Sequence, residues 1–164
     1  MKKLLLIMLT ALLAPVALSG QNKEINDLFD KYEKKRSVES VVISPPPPPI
    51  VPNHNVKDKE AQEWMSKITE MRILTVGSGV MENNVPVRQS LKADMEKLIT
   101  TFNFSRLLKV KDSGEEVELY VNKNKTGVLL FLNSSTEEYT VIAMFGNIDD
   151  NILKSAMSGG IHIK

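Results

Sequence analysis

Two short stretches of this chain, Gly127 to Leu132 and Tyr139 to Phe145, are apolar on both faces. Strands of that kind need cover above and below, so they belong in the interior of a sheet. The polar run Asn133 to Glu138 joins them as a turn. Upstream, Ser105 to Lys111 reads as a further strand, and Asp112-Ser113-Gly114 as a turn in which Gly114 can take a positive φ. Glu116 to Asn122 alternates, with Val117, Leu119 and Val121 pointing one way and Glu116, Glu118 and Asn122 the other. Lys123-Asn124-Lys125 turns the chain again. Phe104 to Gly146 therefore predicts a C-terminal four-strand antiparallel meander. Within it, Glu116–Asn122 is expected at an edge or half exposed.

The rest of the chain supplies cover and further strands. Ile25, Leu28, Phe29 and Tyr32 fall at helical spacing, which predicts an amphipathic helix over Gln21 to Arg36 with Asn22 placed to cap it. Val38 to Ile43 is rich in β-branched residues and predicts a strand. Five prolines follow, Pro45 to Pro49, inside a proline-rich loop at 44–55. Proline fixes φ and lacks the N–H, so that segment reads as a stiff extended connection. Ala61, Trp64, Met65 and Ile68 give a second helix over Asp58 to Glu70, and Met71 to Val76 a second strand. A third helix enters through Asn83, Asn84, Val85 and Pro86 and runs to about Phe102, with Val87, Leu91, Met95, Leu98, Ile99 and Phe102 as its stripe. Asp149 or Asp150 caps a last short helix that turns Ile152, Leu153, Ala156 and Met157 inward. The order predicts an α+β domain over residues 21–164. Three main helices pack on a mixed sheet, and the strand–helix–strand units read as right-handed crossovers.

Lys2 and Lys3, the apolar run Leu4 to Ala14, Pro15, and the small residues Ala17, Ser19 and Gly20 predict a secretory signal peptide over residues 1–20, cleaved near Ser19 to Gln21. The run is shorter than the roughly 20 residues a membrane span needs, so no stable membrane insertion is expected after its removal. The chain has no cysteine, which excludes disulfides, thiol nucleophiles and thiolate metal sites. Without Lys2 and Lys3 the charge is 19 basic against 20 acidic residues, a balance that gives no electrostatic basis for binding nucleic acid.

Asn26-Asp27-Leu28-Phe29-Asp30-Lys31-Tyr32 before Val38-Glu39-Ser40-Val41, then Met71-Arg72-Ile73-Leu74-Thr75-Val76, and finally Phe104 to Asp112 before the meander, resemble domain of unknown function family 4252. The resemblance covers nearly all of the chain after the signal peptide, and its motifs are structural. It implies a small exported bacterial protein, periplasmic or extracellular, of α+β fold, and it transfers no site residues. The proline run departs from the family's pattern at that loop.

The residues offer little chemistry. His54 and His162 lack a second ligand at metal-like spacing. Gly77-Ser78-Gly79 follows a strand as phosphate-binding glycines do. The third glycine is missing, however, and the next helix starts too late to present its N-terminus to them. Glu116 and Glu118 share a strand face, where paired carboxylates can act as acid and base, but a solvated edge strand protected by charge explains them far better. Asp149-Asp150 reads as a cap rather than a calcium loop. No catalytic, cofactor-binding or metal residue is assigned. The first expectation is a non-enzymatic exported module binding a protein or small molecule of the cell envelope. The alternatives are a hydrolase or lyase using Glu116 and Glu118, or a chain that self-associates through an uncovered sheet face.

Overall fold

The computed structural model describes residues 20–44, 66–122 and 127–157. Residues 1–19 of the predicted signal peptide, the proline run Pro45–Pro49, His54, Trp64 and His162 lie outside these residues, and α1 begins at Gly20. Within them, helix α1 (Gly20–Glu33) leads to strand β1 (Val38–Ile43), and β2 (Ile68–Gly77) follows. A two-stranded ribbon of β3 (Met81–Glu82) and β4 (Val85–Pro86) precedes helix α2 (Val87–Thr101). Then come β5 (Ser105–Asp112), β6 (Glu115–Asn122), β7 (Gly127–Ser134), β8 (Glu138–Gly146) and helix α3 (Asp150–Met157).

The fold is α+β, built on one six-stranded sheet in the order β1-β2-β8-β7-β6-β5. Every neighbouring pair is antiparallel, which corrects the expected mixed sheet. Ile43 pairs with Met71, so the long connection leaves β1 and enters β2 at the same end of the sheet and makes no parallel crossover. The strands expected to form the meander are four of the six, and β8 is the element that sits between β2 and β7.

Other boundaries shift for local reasons. Residues 68–70 are strand rather than helix: Ile68 satisfies the helical stripe, but it pairs with Gly146 and packs into the core. Asn22 lies within α1 rather than capping it. The helix stops at Glu33, and Ser37, at φ 63°, turns the chain into β1. Asn83 and Asn84 both have positive φ, the requirement of a type I′ two-residue turn, and this closes the β3–β4 ribbon that the sequence reading missed. Ser113 and Gly114 do the same between β5 and β6. The strand β6 is not an edge: β5 lies outside it.

The two faces of the sheet are covered unequally. On the first, Ile25, Phe29 and Tyr32 of α1 and Leu91 and Met95 of α2, all fully buried, pack against Leu74, Val76, Val128, Leu130, Val141 and Ala143. On the second, α3 sets Ile152 and Leu153 against Ile68, Leu129 and Met144 at one end. Asp149 caps α3, accepting from the backbone N–H groups of Asn151 (3.1 Å) and Ile152 (3.0 Å), while Lys67 pairs with its other oxygen at 2.6 Å.

Candidate functional site

The paired carboxylates come first, because an acid–base reading needs them in a concave setting. On the helix-covered face of β6, Glu116 and Glu118 do share a depression with Lys92 and Glu96 of α2, Tyr120 and Tyr139. Its volume is about 20 Å³, room for a single water rather than a substrate. Both carboxylates are also engaged. Lys109 on β5 lies 3.1 Å from Glu116 Oε1 and 3.2 Å from Glu118 Oε1, Arg106 reaches the same Glu118 oxygen at 3.2 Å, and the Tyr120 hydroxyl donates to it at 3.2 Å. The hydrogen bond from Lys109 holds the Glu116 carboxyl below the usual carboxylate range, the wrong direction for a proton donor. Burial raises the hydroxyl pKa of Tyr139 far above that of a free tyrosine, so it stays protonated. The cluster is a set of ion pairs that secures β5 to β6.

Gly77 ends β2, but the chain after it enters the β3–β4 ribbon, and α2 begins only at Val87. The N–H of Ser78 bonds to the Glu137 carbonyl (2.7 Å), that of Val80 to the Gly77 carbonyl, and that of Val87 to the Val80 carbonyl (3.0 Å). Those donors are committed to the fold and do not converge on a phosphate. Arg88, in the first turn of α2, fastens the β7–β8 turn by donating to Thr136 O (3.2 Å), Ser134 Oγ (3.1 Å) and Ser135 O. Among the described residues no group of three or more His, Asp or Glu is arranged to hold a metal, and no helix is long and apolar enough to cross a membrane.

A groove of about 480 Å³ opens between α1 and α2, with Asp27, Lys31, Asp94 and Lys97 on its walls beside Leu28 and Phe102. Lys31 and Asp94 pair across it. Asp94 Oδ2 accepts from Lys31 (2.6 Å) and from the Tyr32 hydroxyl (2.8 Å). Burial alone would raise the Asp94 pKa, yet the two hydrogen bonds outweigh it and the carboxyl is held low. Burial, reinforced by Asp94, pushes the Tyr32 hydroxyl up. Nearby, Arg72 on β2 is buried against α1. It donates to Asn26 Oδ1 (3.0 Å), Asp30 (2.6 Å) and Glu33 (3.1 Å) and lies over the Phe29 ring at 5.3 Å. Sequence reading passed over Arg72, because a charge inside a strand pattern does not reveal that a helix will meet it.

The second face carries the feature with the greatest reach. Strand pairing lines up Val41, Ile73, Ile142, Phe131, Leu119 and Leu108 in one cross-strand row that spans all six strands. At the β7–β6 end the row is closed, with Phe131 and Leu119 buried. Toward β1 it opens: Ile142 and Ile73 are half-buried and Val41 is 49% exposed. Beside it runs a more polar row, in which Thr75 and Thr140 exchange a side-chain hydrogen bond (3.2 Å) and Asn133 keeps a buried, unpartnered Oδ1.

Sheet, helices and ion pairs together define an antiparallel α+β protein whose polar clusters serve the scaffold and whose apolar surface runs out to one edge. A family model described as Domain of unknown function (DUF4252) matches residues 32–156, and the chain belongs to that family. No curated protein and no solved structure gives a significant match to it.

Proposed function

We propose that the protein is a non-enzymatic interaction module of the bacterial cell envelope, exported by its N-terminal apolar segment and working through the second face of its sheet. The observation that carries this reading is the apolar row from Leu108 to Val41, in which Leu119 and Phe131 are buried in one cluster with Ile152 and Leu153 of α3 and the residues from Ile142 to Val41 are increasingly accessible toward β1. Apolar surface that rises toward one edge is a surface a partner can bury. The carboxylates that would serve a hydrolase or lyase are ion-paired around a space for one water, which favours binding over turnover.

The test compares the native protein with Ile142→Asp in capture from envelope extract. A defined partner retained by the first and lost from the second is the expected result. Equal retention, or turnover of any substrate class abolished by Glu116→Gln or Glu118→Gln, would overturn it. The second outcome would establish the carboxylate-dependent alternative, which has in its favour that both groups line one depression.

A further inference from the structure

The sheet has two edges, and they are built differently. β5 carries Arg106, Lys109, Lys111 and Asp112, and its pairing with β6 shifts register between Arg106 and Leu108. Charges and a bulge are the devices by which natural sheets prevent an edge from recruiting another strand. β1 has neither. Its six residues pair with β2 without a shift, and Glu39 is its one ionisable side chain. Among the described residues no strand pairs with its outer side.

The exposure of β1 also distinguishes what is missing. Val41 and Val42 are neighbours, so they point to opposite faces, and they are 49% and 51% exposed. A helix laid over the sheet would cover one of them. A further strand alongside β1 would cover part of both.

We infer that this strand is another β1: two copies of the chain pair edge to edge across a two-fold axis at Val41, joining their sheets into one. This rests on the reading of the protein as an interaction module and names the partner at one boundary of its surface. Symmetry limits the register. A two-fold axis perpendicular to an antiparallel pair keeps like faces together, so residues meet partners of the same parity. An axis at Glu39 would bring two carboxylates together, which is destabilising. An axis at Val41 places Val41 against Val41, Glu39 against Ile43 and Ser40 against Val42, with no like charges opposed. It also joins the two open ends of the cross-strand row, so the least covered part of each copy closes the other.

The absence of cysteine makes the test clean, since one introduced thiol reports one position. Opposed residues in an antiparallel pair have Cα atoms about 4.5–5.5 Å apart, within disulfide reach. Under mild oxidation Val41→Cys should form a covalent dimer at least ~10-fold faster than Ser113→Cys, an exposed turn position at the far edge. Light scattering of the purified protein should give a dimer, and Val41→Lys should give a monomer with an unchanged circular dichroism spectrum. A native monomer at high protein concentration would refute the inference. So would a dimer that survives Val41→Lys while Val41→Cys crosslinks no faster than the control. A dimer lost in Ile142→Asp but kept in Val41→Lys would move the contact onto the open face. A monomer that still retains an envelope partner would overturn this inference and leave the broader functional reading standing.

Discussion

The two faces of the sheet start from similar strands and end in different states. On one, α1 and α2, of 14 and 15 residues, bury an apolar stripe against β2, β7 and β8. On the other, α3, of eight residues, covers one end. The first face holds fully buried Phe29, Leu91 and Met95, and the second grades from buried Leu129 to exposed Val41. Strand patterning alone cannot produce that contrast, because β7 and β8 are apolar toward both sides. It follows from where the helices are spent.

The contrast is easiest to break by cutting a large side chain from each face. Phe29→Ala should cost about 3–5 kcal/mol, because the cavity lies in a fully packed core. Val110→Ala, on the second face and 47% exposed, should stay within about 0.5 kcal/mol, as an exposed position does. Urea denaturation of both variants measures the gap, and equal costs would remove the asymmetry. Gly146 probes the boundary between them. It ends β8 at positive φ, and a Cβ there would meet the Lys67 carbonyl, so Gly146→Ala should cost about 1–3 kcal/mol in a thermal melt.

Arg72 sharpens the comparison from the polar side. Its guanidinium holds Asp30 and Glu33 of α1, but those carboxylates are 49% and 36% exposed, so solvent softens their loss. Arg72→Met keeps the stem and removes the charge, and about 1–2 kcal/mol is the expected cost. Denaturation followed by far-ultraviolet dichroism measures it. The smallest effect belongs to the α3 cap. The hydrogen bond from Lys67, and then that from the Ile152 amide, lower the Asp149 pKa below 3.8. A lowered folded pKa means its stabilisation is complete above the ordinary value and fades as pH falls through the folded one. The Ile152 amide shift should therefore titrate with a midpoint below 3.8, and Lys67→Met should move that midpoint upward.

Much of the framework could be read from the residues. The strand at Val38–Ile43, the α2 stripe from Val87 to Leu98, and the alternation of Val117, Leu119 and Val121 all stand where period and spacing put them. Asp149 caps α3 as its position suggested. What failed was long-range. Periodicity within β1 and β2 says nothing about their relative direction, and a long connection was taken for a crossover although both its ends lie at one end of the sheet. Glu116–Glu118 looked like an edge because its charges looked solvated. In fact Lys109 and Arg106 arrive from a strand outside it. The cross-strand row was invisible for the same reason, since it draws one residue from each of six strands and exists only once their register is set.

The place of β8 has a consequence for how the chain can assemble. β1 with β2 forms one piece of the sheet and β5 with β6 and β7 another, and β8 alone bonds to both. Its partners in β2 lie far upstream, as with Ile68 and Gly146, so loop closure makes this pairing slow to form. During synthesis the two pieces can form in turn but cannot be joined until residues 138–146 have emerged. A nascent chain of this topology stays incompletely folded until β8 is available, and truncation between Ser134 and Glu138 leaves two half-sheets with no strand between them.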